Sequence, residues 1–160
     1  MAESLVKDSR GFFKLPQNPE QGGLGYYTYG TPAHGAGQFA HPKLISLLNL
    51  VEFRWQGMDK RKMGIGNISL AGGVRFDPHQ GHQSGLDADI RLMRKDGLEL
   101  PVRWMDEQYD HGATCKLISL FFESGIVSVI YFNDPKAPRV KPRFRHDDHF
   151  HVTVIGEGAA

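Results

Sequence analysis

The chain has 160 residues, 40% of them hydrophobic, which suits one buried core and is short for two domains. Lysine and arginine number 19 against 18 acids, a net charge of +1, so no whole-chain charge footprint points to nucleic acid or an anionic membrane. The single cysteine excludes an internal disulfide, and no apolar run approaches the roughly 20 residues of a membrane span.

The first fourteen residues lack the apolar core of a secretory signal, so synthesis in the cytoplasm is expected. Residues 1–37 read as a loop-rich opening segment of a single domain, because Leu15 to Gly37 is dense in Gly, Pro, Asn, Gln and Tyr. From His41 the texture changes. Pro42 suits a first helical position, and Leu44, Leu47, Leu48, Val51 and Trp55 recur at helical spacing, with Gly57 as the stop. Met63 to Leu70 is a predicted strand, followed by a turn at Gly72-Gly73.

Leu86 to Leu92 alternates. Leu86, Ala88, Ile90 and Leu92 share one face, and Asp87, Asp89 and Arg91 the other. Asp96-Gly97 signals a hairpin, with Glu99 to Val102 as the return strand. Thr114 to Ser124 reads as a second helix stopped by Gly125. Within it Cys115 has apolar neighbours and is expected to be a buried, inert thiol. Ile126 to Phe132 and His149 to Ile155 complete the predicted strands. The fold class is α+β, a small antiparallel β-sheet covered by helices.

Chemistry concentrates in two windows, His79 to Asp89 and H-D-D-H-F-H at His146 to His151, which hold five of the eight histidines. On a strand, His149 and His151 point to one face and Phe150 points to the core. Two imidazoles and a carboxylate suit a zinc triad with a fourth position for water. Spacing alone does not name the reaction.

The pattern His82, six residues, Asp89, then His149-Phe150-His151 resembles the zinc motif of the LAS peptidases (lysostaphin, D-Ala-D-Ala metallopeptidases, sonic hedgehog). A closer resemblance is to the penicillin-insensitive murein endopeptidases. It is carried by F-A-H-P-K-L-I at Phe39 to Ile45, A-G-G-V-R-F at Ala71 to Phe76 and G-H-Q-S-G-L-D-A-D-I at Gly81 to Ile90. I-Y-F-N at Ile130 to Asn133 and V-K-P-R-F-R-H-D-D-H-F-H-V at Val140 to Val152 complete it.

The resemblance implies an LAS/hedgehog-type fold and one Zn2+ held by His82, Asp89 and His151. His79 would be a further ligand or a neighbour of the ligands. His149 would be the base and His146 an oxyanion-stabilising or proton-donating group. The substrate implied is peptidoglycan, cut between D-alanine and meso-diaminopimelate, with stem peptides as the partner and a monomer as the working unit.

The family enzymes are longer, with a signal peptide and several cysteines. This chain therefore reads as a phage endolysin or a delivered antibacterial effector, the latter with an immunity protein, acting on the periplasmic wall. A D,D-carboxypeptidase, an L,D-endopeptidase and a non-catalytic wall-binding module are the alternatives. Arg75, Arg143, Asn133 and Tyr27 are candidate substrate contacts, the arginines because stem peptides carry carboxylates. Asp147 and Asp148 read as turn residues.

Overall fold

The computed structural model describes residues 6–17, 25–79 and 81–156. Parts of the opening segment, on which the signal reading rests, and the last four residues lie outside this range.

Strands β1 (Phe13–Lys14) and β3 (Phe39–Ala40) form a two-stranded antiparallel ribbon. The main sheet has five strands: β2 (Tyr26–Thr28), β4 (Met63–Ile65), β5 (Asp87–Arg91), β6 (Val127–Tyr131) and β7 (His149–Val154). Their spatial order is β2-β4-β5-β7-β6. The β2–β4 pair is parallel and the other pairs are antiparallel, so the sheet is mixed and not wholly antiparallel as expected. The parallel pair arises because the loop-rich segment contributes an edge strand that returns to β4 through α1 (Pro42–Gln56), a crossover of the kind parallel pairing requires.

Helix α1 starts as its sequence dictates. Pro42 occupies the first turn, where no N–H is needed, and the His41 ring accepts the Lys43 amide at 3.0 Å. Leu44, Leu47, Leu48, Val51 and Trp55 are buried along one stripe. The second helix, α2 (His111–Glu123), begins three residues before the predicted Thr114. Asp110 is its N-cap and accepts the Ala113 amide at 3.0 Å, while Gly112 in the first turn masked the start. Gly125, at φ 76°, follows the helix in the left-handed conformation that glycine adopts readily.

Ala88, Ile90, Phe150, Val152 and Ile130 from the sheet share one core with both helices. Phe150 meets Phe121 of α2 edge-on at 5.7 Å. The period-2 alternation therefore sends Asp87, Asp89, Arg91, His149 and His151 to the opposite face.

Two strand predictions are corrected. Regular pairing of the Met63–Leu70 segment ends at Ile65. The Gly66 amide and Asn67 carbonyl still bond to Asp89, but Ile68 then donates to Gly37 and Ser69 accepts from Phe39, so the segment changes partners. Asp96-Gly97 does turn the chain, but Glu99 to Val102 is not a strand. Arg94 pairs instead with Tyr109, and the Lys95 amide reaches the Gln108 carbonyl. Cys115 is also only half-buried, with its thiol 3.6 Å from His111 Nε2.

Candidate metal centre and cleft

The register of β5 against β7 builds the site. Asp89 lies opposite His151, and Arg91 opposite His149. Residues sixty apart in sequence thus become neighbours on the face turned away from the helices. His82 arrives from the loop before β5, where its Nδ1 donates to the Ile68 carbonyl at 2.9 Å. That bond leaves Nε2 with its lone pair, aimed at Asp89 Oδ1 3.2 Å away.

His151 is held in a similar way. Its Nε2 donates to Asp87 Oδ1 at 2.8 Å, and Nδ1 lies 3.3 Å from Asp89 Oδ1. Thr153 steadies Asp87 with a 2.7 Å hydrogen bond. His149 Nε2 stands 3.6 Å from the same Asp89 oxygen. Three imidazole nitrogens therefore converge on one carboxylate oxygen. That oxygen is buried and accepts no hydrogen bond.

A buried anionic oxygen without a donor is costly unless a cation neutralises it. The donor set of two imidazoles and a carboxylate, each ring oriented by a second hydrogen bond, fits a divalent metal ion. His79, His82 and Asp89 also bring ligand atoms within 4.8 Å of one another. His79 Nε2, however, faces Asn67 Nδ2 at 2.9 Å, while Asn67 Oδ1 accepts the Thr31 amide at 3.2 Å. With the amide oriented that way, the Nε2 lone pair of His79 is engaged with Asn67.

The electrostatics follow the geometry. Burial alone would raise the Asp89 carboxyl, but the facing His151, His82 and His149 rings outweigh it and hold it far below the carboxylate range. Burial opposes charge on His151, yet Asp87 and Asp89 prevail and lift it to about 9. His149 is raised too: burial lowers it, and Asp148, 2.7 Å from Nδ1, outweighs that. His146 moves the other way, lowered by burial despite its hydrogen bond to the Phe144 carbonyl.

A cleft of about 520 Å³ opens over the site, lined by His79, His82, Asp89, His146, His149 and His151 together with Arg143, Phe144 and Arg145. A smaller recess shares Asp89 and His149 with it and is otherwise lined by Tyr29, Arg91, Pro101 and Asp148.

The substrate-contact expectations are redistributed. Arg143 lines the cleft, with its guanidinium 4.7 Å from the Tyr131 ring centre. Arg75 does not line it; it is exposed and paired with Asp77 at 2.8 Å. Tyr27 is buried on β2, and Tyr29 reaches the recess instead. Asn133 clasps the loop that carries His146. Its Oδ1 accepts the Arg143 amide at 2.8 Å, and its Nδ2 donates to Asp147 at 3.0 Å.

Asp147 and Asp148 do more than turn the chain. Asp147 also accepts from the Trp104 indole at 3.1 Å, and Asp148 orients the His149 ring. Sequence reading left Asp87 without a role. The signal was present, because Asp87 shares a face with Asp89, but its partner His151 is known only from the register.

Residues 22–120, well over half of the chain, match the family described as penicillin-insensitive murein endopeptidase. The matched stretch takes in His79, His82 and Asp89 and ends before β6. Curated relatives of that name include the Haemophilus influenzae protein, 28% identical over 146 residues, covering 72% of this chain and 51% of the relative. The Salmonella paratyphi C protein is 27% identical over 155 residues, covering 72% and 53%. The Salmonella typhi protein is 26% identical over 152 residues, with the same shares. The chain thus spans about half the length of the curated relatives it matches. Taken with the His-Asp cluster that β5 and its preceding loop assemble inside the matched stretch, this extent of similarity shows that the chain belongs to the penicillin-insensitive murein endopeptidase family.

Proposed function

We propose that the chain is a zinc-dependent peptidoglycan endopeptidase that hydrolyses D-alanyl–meso-diaminopimelate cross-links. The observation that carries this reading is the convergence of His82, His151 and His149 on the unsatisfied Asp89 Oδ1 at the floor of an open cleft. Zinc held by His82, Asp89 and His151 would supply Lewis-acid polarisation of the scissile carbonyl and lower the pKa of a water molecule.

The protein groups do the rest. With Nδ1 donating to Asp148, His149 has Nε2 left to take a proton from the attacking water, and Asp148 stabilises the imidazolium that forms. His146 has its Nδ1 on the Phe144 carbonyl, so Nε2 is its working nitrogen. Protonated, it steadies the developing oxyanion or hands its proton to the leaving amine. His79 lies beside the ligands and holds Asn67. Arg143 on the cleft lip meets substrate carboxylates.

Cleft and recess meet at Asp89 and His149, which gives substrate room beyond the cleft itself and favours cutting within a peptide over trimming its end. An LAS/hedgehog-type fold, one domain and a working monomer belong to the same reading. So does wall delivery as a phage endolysin or as an antibacterial effector with an immunity protein. No helix among the described residues is long and apolar enough to cross a membrane.

The test is digestion of purified murein sacculi, with products identified by mass spectrometry. Conversion of cross-linked dimers to monomers is expected, together with its loss in His151→Ala. Release of terminal alanine without splitting of dimers would replace this reading with a carboxypeptidase. Full activity of His151→Ala would overturn it.

A further inference from the structure

Arg91 occupies an unusual position. It lies two residues beyond Asp89 on the same face of β5, directly across from His149 on β7. Its guanidinium stacks 3.9 Å from the centre of the Tyr29 ring. That ring fills the space a Cβ at residue 66 would need, its atoms 2.6 Å from such a position, so Gly66 lets it lie against the sheet. The ring is therefore a fixed shelf, and the guanidinium rests on it.

Among the described residues, Arg10, Arg54, Arg61, Arg75, Arg94 and Arg103 each have a carboxylate partner. Arg91 has none. Its Nη1 donates to the Glu99 carbonyl at 3.2 Å, and the guanidinium also faces Tyr27, which fixes the side chain while its five N–H donors leave capacity for a further acceptor. The recess that it lines with Tyr29, Pro101 and Asp148 opens beside the reacting centre. Asp148 lines the same recess but turns Oδ1 to His149 at 2.7 Å and makes no ion pair with Arg91.

We propose that Arg91, stacked on Tyr29, forms a carboxylate-binding subsite that reads an acidic group on the substrate residue flanking the scissile bond. The inference rests on the peptidase reading above and adds a specificity determinant to it. A guanidinium with a pre-set plane and free N–H groups recognises a carboxylate bidentately, and stacking lowers the entropy cost of doing so. The spacing suits a neighbour of the cut bond. Two residues along a strand span about 6.6 Å, which keeps the Arg91 side chain within one or two substrate residues of the centre that Asp89 marks. Arg143 and Arg145 line the cleft and Arg91 the recess that adjoins it, so a stem peptide would meet cationic groups in both.

The experiment compares a synthetic D-alanyl-diaminopimelate peptide with a counterpart in which the carboxylate next to the scissile bond is a carboxamide. Zinc-loaded wild type, Arg91→Gln and Arg91→Lys are each assayed for cleavage, and for binding by titration calorimetry. Thermal melts check that the variants fold.

Wild type is expected to favour the acid about 30-fold in KM or Kd, within the range for one charge-assisted bidentate contact. In Arg91→Gln the preference should fall below about 3-fold, with the amide peptide nearly unaffected, and Arg91→Lys should restore only part of it. Cleavage by wild type with the same acid preference in Arg91→Gln overturns the subsite and leaves the peptidase reading standing. Acid-selective binding lost in Arg91→Gln, without cleavage by any form, upholds the subsite and overturns the peptidase reading. Equal handling of both peptides by wild type overturns the subsite.

Discussion

Asp87 and His151 form the pair that orients the candidate metal centre, with Asp87 Oδ1 2.8 Å from His151 Nε2 and Thr153 bonded to the same oxygen. The contact selects which ring nitrogen is free. Because Nε2 donates to the carboxylate, Nδ1 is the atom turned to Asp89. Asp87→Asn keeps the shape and removes the charge that raises ligand basicity. Zinc affinity, measured by competition with a chromogenic chelator, should fall about 10- to 100-fold. Unchanged affinity would show that Asp87 does not orient the ligand.

Stability of the metal-free protein should depend on pH through His151. Its folded pKa of about 9 exceeds the unfolded value of about 6.5, so the folded state holds the proton more tightly. The contribution is complete below about 6.5 and fades as pH rises through 9. Melting temperatures of chelator-treated protein should therefore fall between these limits. Zinc uptake near pH 7.5 should release about one proton, read as a buffer-dependent binding heat. A flat profile and no proton release would contradict the assignment.

Asp148 acts on His149, the proposed base. Its bond to His149 Nδ1, at 2.7 Å, holds the His149 pKa above the ordinary value. In Asp148→Asn that support is lost and the His149 pKa falls. The acid limb of the kcat/KM profile should shift to lower pH, and kcat at neutral pH should drop about 10-fold. KM should change little. A uniform loss with no movement of the limb would show a merely structural role.

Phe150 lies between two site histidines and packs entirely into the core, 5.7 Å from Phe121. Phe150→Ala should destabilise the fold by about 3–5 kcal/mol in denaturant titration. Phe150→Leu should cost less and keep zinc binding. If the alanine variant unfolds at the wild-type denaturant concentration, β7 is not anchored as described.

Much of the site was legible in the chain because strand periodicity is local. The alternation of Asp87 to Leu92 and of His149 to Val154 assigns faces without any tertiary information. Pro42 and the Leu44–Trp55 stripe likewise declare α1. The α2 start was missed because its cap, Asp110, precedes a glycine and a histidine of weak helix propensity. The 66–70 segment was misread because its backbone changes hydrogen-bond partner, which leaves no mark on hydrophobic pattern.

By itself the sequence determined the residue types of the site, the family resemblance and which side of each strand carries the histidines. Only the tertiary structure decided which partner each ring has. The antiparallel register brings Asp89 to His151 and Arg91 to His149, and the preceding loop swings His82 onto the same oxygen. That register also made Asp148 and Asp87 orienting groups and gave Tyr29 the place expected of Tyr27. The physical reason is that ring orientation depends on hydrogen bonds between residues distant in sequence. Such bonds exist only once burial of the Phe150 face has locked the strands together.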